Sequence, residues 1–301
     1  MASHFPNREC FIASPSQQWQ AFGLSIFFSV LNLGCNTLPM ARVANIEKES
    51  DKPATQVLPP ILPSGFENTI SPFHFRSDRS LPDNHIILKS AASLRDSVYK
   101  ELKIPPPRGI IFVYIFGEKG SFDYYLRKRY PHLPSRRAFF MAQGRPGSRE
   151  EDLVVLTWWS DKLEQDLRHE LTHALVHSAI PAIPLWLDEG LAEYFELKDF
   201  PEISEERRVQ ALEDFSNANR PDMFRLEGLR DIQQMGRAEY REAWCWTRWM
   251  LKGPPHVRNT FMSYLSDLRN SQKVDLAHQI KQLDPDYKEK MILHTRQIVL
   301  K

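Results

Sequence analysis

The sequence predicts an α+β fold, with a small mixed or antiparallel sheet first and a mainly helical C-terminal part after it. Strand-like segments fall before residue 160 and are interleaved with only two helical patterns, whereas from Leu163 onward almost every stretch has helical spacing. Strands early and helices late differ from the steady alternation that builds a doubly wound parallel sheet. No internal repeat is visible.

At the N-terminus, "AFGLSIFFSVLNLG" (21–34) is an uncharged apolar run. It is short for a membrane span and suited to the core of a signal peptide. It ends in "LNLGC", which resembles the bacterial lipoprotein box, with Cys35 as the residue to be acylated. Asn32 departs from that pattern, and Arg8 is the only basic residue ahead of the apolar run. An ordinary secretory signal or a buried helix are the other readings. Residues 1–35 are thus expected to be a signal peptide, with export to the cell envelope and membrane attachment through a lipidated Cys35. Residues 36–68 hold Pro39, Pro53, Pro59, Pro60 and Pro63 without periodicity, the composition of a semi-rigid linker.

One domain is expected over 69–301, its sheet part at about 69–160 and its helical part at about 161–301. "PFHFRS" (72–77) alternates like a half-buried strand. In "HIILKSAASLRDSVYKEL" (85–102), Ile87, Leu94, Val98 and Leu102 recur at helical spacing, and Pro105–Pro107 close the helix. "GIIFVYIF" (109–116) is continuously apolar and β-branched, as a central strand is. A helix from Ser121 to about Tyr130 and strands at 137–142 and 152–159 complete this part.

Charge and cysteine content exclude some functions. Thirty-nine basic against 38 acidic residues call for no nucleic-acid partner, and the clusters "LRKRY" (126–130) and "SRRA" (135–138) suit solvated helix ends. Cys10, Cys35 and Cys245 are too scattered for a disulfide framework or a thiolate metal site. Cys245, between Trp244 and Trp246, reads as core, as do most of the tryptophans.

Chemistry concentrates in "RHELTHALVH" (168–177). His169 and His173, four apart on a helix, project from one face and can reach one ion at about 2.0–2.1 Å each. Glu170 has the place of the general base in an H-E-x-x-H helix, beside the water and not on the metal. Catalytic zinc takes three protein ligands and keeps a fourth position open. His177 is too far from His169 to share the ion, eight residues being about 12 Å of helix; it reads as a helix-end or supporting residue. A better third ligand is Glu189 in "PLWLDEGLAEYFE" (184–196), on a second helix that restarts after Pro181 and Pro184 and could return antiparallel to the first. Glu193, one turn on, is the first candidate to support a ligand histidine, with Glu196 and Asp188 as alternatives.

These segments resemble the gluzincin zinc peptidases, in which the glutamate of a W-L-x-E-G segment is the third ligand. The interval from His173 to Glu189, fifteen residues, is shorter here. With "LPSRRAFF" (133–140) and "YREAWCW" included, roughly residues 70–270 are similar to an uncharacterised bacterial family with a peptidase-MA-like domain. The resemblance implies a zincin-like fold, zinc held by His169, His173 and Glu189, Glu170 as base, and a peptide or protein substrate. It also implies an oxyanion donor from a downstream helix, for which Tyr240 fits best. The strand "EDLVVLTWW" (151–159) is expected to be the sheet edge along the cleft, where extended peptide can pair. A non-catalytic zinc-stabilised binding protein of the envelope, or a purely structural envelope protein, are the competing readings.

Overall fold

The computed structural model describes residues 61–144, 151–198, 200–216 and 221–297. The apolar run at 21–34, Cys35 and the linker up to residue 60 lie outside these. Two short strands come first, β1 (Phe66–Ile70) and β2 (Phe73–Ser77), antiparallel to each other. β1 therefore starts within the stretch read as linker; five residues with an exposed, broken apolar pattern give little signal of a strand. Helix α1 (Ile86–Leu102) follows, capped by the His85 side chain and stopped where Lys103 turns left-handed, just ahead of the prolines. Next come β3 (Ile111–Phe116), α2 (Lys119–Arg129), β4 (Ala138–Gly144) and β5 (Glu151–Trp158).

The five strands form one mixed sheet in the order β1-β2-β3-β5-β4. β2, β3 and β5 run parallel, and an antiparallel strand closes each side. The α+β class is as the sequence predicts, but the edge is not. β5 lies inside the sheet between β3 and β4, and among the described residues β4 and β1 are the edge strands. The physical reason is legible afterwards. "LVVL" offers apolar side chains to both faces, as an interior strand does, while "AFFMAQG" turns polar as it runs on.

Register sets up two cores. Phe75, Val113, Val155 and Phe140 form a row across four strands, each at most 2% exposed, and point toward α1 and the helix that follows the sheet. The opposite face, with Phe139, Met141 and Leu156, is covered by Phe122, Tyr125 and Leu126 of α2.

Beyond the sheet the chain is helical. α3 (Leu163–His177) and α4 (Leu185–Leu197) are followed by α5 (Pro201–Ser216), α6 (Met223–Glu227) and α7 (Arg237–Lys252). α8 (Pro255–Arg269), α9 (Leu276–Leu283) and α10 (Tyr287–Arg296) complete the fold. α3 packs against the sheet, α1 and α4, and α4 against α7. Arg168, 2% exposed, fastens three of these helices by donating to the Phe195 carbonyl (2.9 Å) and to Ser90 Oγ (3.2 Å). Arg137 at the start of β4 grips Asp166 in the first turn of α3 with two hydrogen bonds of 2.9 and 2.7 Å.

One contact fixes how closely α4 approaches α7. A methyl group on Gly190 would stand 2.4 Å from Thr247 Oγ1 and 2.7 Å from the Ala243 carbonyl oxygen. Glycine is required there for helix packing, and it directly follows Glu189. Trp244, Trp246, Trp249 and Cys245, all at 0–1% exposure, are core as expected; Trp158 and Trp159 are only partly buried. Among the described residues no helix is long and apolar enough to cross a membrane.

Candidate metal centre

α4 buries every residue from Trp186 to Leu197, four carboxylates among them: Asp188, Glu189, Glu193 and Glu196. α3 likewise buries all but one residue from Leu163 to Val176. Buried acids need partners that offset the lost water. Those partners are what define the site.

Across the α3–α4 interface, Glu189 Oε2 lies 3.6 Å from His169 Nε2 and 3.8 Å from His173 Nε2. One donor atom from each of the three side chains falls within 4.8 Å of the others. The separations are too long for hydrogen bonds. They suit ligands of a shared ion, because donors about 2.1 Å from a tetrahedral centre stand roughly 3.4 Å apart. Glu189 is 0% exposed, and neither of its carboxylate oxygens has a hydrogen-bond partner among the described residues. Burial pushes its pKa up, an effect that the nearby His173 and His169 rings only partly offset. A divalent cation held by the three donors would remove that penalty, so the residues present fit a metal.

A carboxylate of α4 lies beside the outer nitrogen of each histidine. His169 Nδ1 donates to Glu196 Oε2 at 2.8 Å, and Gln165 Nε2 holds the other Glu196 oxygen at 2.6 Å. His173 Nδ1 lies 3.0 Å from Asp188 Oδ1. A proton on each Nδ1 would leave each Nε2 lone pair free toward Glu189, which is the tautomer a metal ligand needs. Asp188 is 1% exposed; burial alone would raise its pKa, but the His173 and His177 rings facing it hold it below the usual carboxylate range.

No family model and no curated protein matches this chain.

Not every candidate is placed as the sequence suggests. The carboxylates beside His169 and His173 are Glu196 and Asp188, whereas Glu193, the first candidate for that place, has Oε2 at 2.7 Å from Arg207 Nη2 of α5. A second grouping of His169, Glu193 and Glu196 could also hold an ion, but its acids are engaged by Arg207, Gln165 and His169 itself. His177 is the last residue of α3 and donates from Nε2 to Asp188 Oδ2 at 2.9 Å. Glu170 is 5% exposed and follows His169 on α3, about 60° around the helix from His173.

Tyr240 lies in the first turn of α7 at 4% exposure. It shares a helix face with Ala243 and Thr247, the two residues in contact with Gly190, and so lies one turn from where α7 crosses α4. Residues without a signal of their own also shape the site. Phe140 of β4 stacks on His173, with centroids 6.2 Å apart and planes 16° apart, and tilts against His177 at 5.3 Å. Gln165 could have been found from its place one turn before His169; Arg207 could not, because it comes from a helix with little apolar pattern.

Proposed function

We propose that this chain is a zinc-dependent hydrolase, a metallopeptidase of the gluzincin type that cleaves peptide bonds. The observation that carries this reading is the convergence of His169 Nε2, His173 Nε2 and the fully buried Glu189 carboxylate, which has no hydrogen-bond partner among the described residues, across two helices. Glu170 next to the first ligand adds the base that a purely structural site would not need. Zinc, when bound, would polarise the scissile carbonyl and lower the pKa of a water toward neutrality.

In this proposal Glu170 accepts the proton of the attacking water and delivers it to the leaving amine nitrogen. Asp188 and Glu196 keep the ligand rings in their tautomers and orientations. Tyr240 donates its hydroxyl proton in a hydrogen bond to the oxygen that becomes negative as the carbonyl is attacked. β4, with one edge paired to β5 and no strand on the other among the described residues, offers backbone groups to an extended peptide. An antiparallel edge strand beside the motif helix is in keeping with a zincin-like fold. Export, with attachment through Cys35, belongs to the same proposal and rests on the apolar run at 21–34.

The test is metal content and proteolysis together. The full chain, purified without chelator, is expected to carry about one zinc per molecule and to cleave unfolded casein. Glu170→Gln should keep the zinc and lose cleavage by on the order of 10²–10⁴-fold, the usual contribution of a general base. Less than about half an equivalent of zinc, or equal cleavage by the glutamine variant, overturns the proposal.

A further inference from the structure

His177 lies outside the three metal donors, yet it is joined to one of them. Its Nε2 donates to Asp188 Oδ2 at 2.9 Å, while Asp188 Oδ1 lies 3.0 Å from Nδ1 of His173. One carboxylate, 1% exposed, is therefore shared by a ligand imidazole and by a second imidazole at the end of the same helix. Phe140 packs on both rings, so the three groups form a closed assembly under the edge strand.

We infer that His177 is a positioning residue for the metal: by occupying one oxygen of Asp188 it holds the other against His173 and so sets the affinity for zinc. The inference rests on the proposed metal site. The physical basis is the buried carboxylate. With Oδ2 held by His177, the side-chain orientation of Asp188 is fixed and Oδ1 stays 3.0 Å from Nδ1 of His173. Without the His177 donor, Oδ2 is left buried and unsatisfied. Asp188 then turns away to find a partner, and that movement loosens the ring that presents Nε2. The spacing His169, His173, His177 thus gives one helix two ligands and a brace, the brace acting through the acid that directly precedes Glu189.

Zinc affinity tests this without reference to turnover. Dissociation constants are measured by competition with a chromophoric chelator for the full chain and for His177→Leu, His177→Gln, Asp188→Ala and the double variant His177→Leu/Asp188→Ala. Outer partners of metal ligands are worth roughly 10–100-fold in affinity. Asp188→Ala should fall in that range, and His177→Leu, which fills the space but removes the N–H, should weaken zinc by about tenfold. His177→Gln, whose amide nitrogen reaches nearly where Nε2 stood, should restore most of the loss.

The double variant should be no weaker than Asp188→Ala alone, because His177 acts only through that carboxylate. Equal affinity for wild type and His177→Leu overturns the inference while leaving the metal site intact. So do additive effects in the double variant. Absence of zinc from the wild-type chain overturns the proposed function and this inference with it. If His177→Leu does not fold, as judged by far-ultraviolet circular dichroism, the Gln variant decides: near wild-type affinity supports the brace, and a loss of tenfold or more refutes it.

Discussion

Replacing Gly190 by alanine sets two opposed effects against each other, and the structure says which is larger. Alanine in a helix interior is favoured over glycine by about 1 kcal/mol. Against this, the new methyl carbon would stand too close to two atoms of α7, whereas ordinary contact begins at 3.4 Å, so the helices must part by 3.4 − 2.7 = 0.7 Å to clear the Ala243 carbonyl oxygen and by 3.4 − 2.4 = 1.0 Å to clear Thr247 Oγ1. Thr247, 0% exposed, has nowhere to retreat, and the Ala243 oxygen belongs to helix backbone. Overpacking of this kind costs typically 1–3 kcal/mol. The net expectation is a loss of about 1 kcal/mol, seen as a fall in melting temperature of roughly 2–4 °C for a domain of this size.

The function should suffer more than the stability. A shift of α4 away from α7 drives it toward α3 and disturbs the 3.6 and 3.8 Å separations between Glu189 and the two imidazoles. Metal sites tolerate about 0.5 Å, so zinc affinity should weaken on the order of tenfold. Thermal melts of the metal-free chain and chelator competition measure the two effects separately. An alanine variant as stable as wild type, with unchanged zinc affinity, would refute the claim that this glycine sets the helix spacing.

Glu101, which is buried, and Glu227, which is half-buried, predict opposite responses to pH. Glu101 is held at about pKa 2: burial would raise it, but Lys198, Lys252 and Tyr194 at 2.7–2.9 Å more than compensate. Its contribution to stability is present above its ordinary value of 4.5 and is lost as pH falls from there toward 2. Glu101→Gln should therefore be the less stable protein at pH 6 and approach wild type near pH 2 in urea-unfolding series. Glu227 is raised to about 7, first by burial and further by Asp275, despite the hydrogen bond it accepts from the Ala277 N–H. The folded state holds this proton where the unfolded chain has lost it, so Glu227 makes stability decline as pH rises from about 4.5 to 7. Glu227→Gln should remove that decline, and an unchanged slope across this window would count against the burial argument.

Much of this was open to reading in one dimension. The helical pattern of α1 and the apolar run of β3 are local properties, and each is set by which side chains must leave water together. His169, Glu170 and His173 could be named because all three lie within five residues on one helix, where spacing alone fixes direction. Glu189 could be reached because Pro181 and Pro184 end one helix and an apolar stripe starts another. β1 was hidden by its shortness, and the edge position of β4 by the fact that strand order is decided by pairing between distant segments.

What the sequence alone determined is a helix bearing two imidazoles and an acid, followed after a proline break by a second helix rich in carboxylates. What only the tertiary structure decided is how those four carboxylates divide their work. Glu189 faces the two Nε2 atoms, Asp188 and Glu196 attend the outer nitrogens, and Glu193 goes to Arg207. The reason is that on a helix buried on every side all faces look alike in sequence. The partner each acid meets depends on the neighbours that packing brings there, down to one glycine that lets α7 approach.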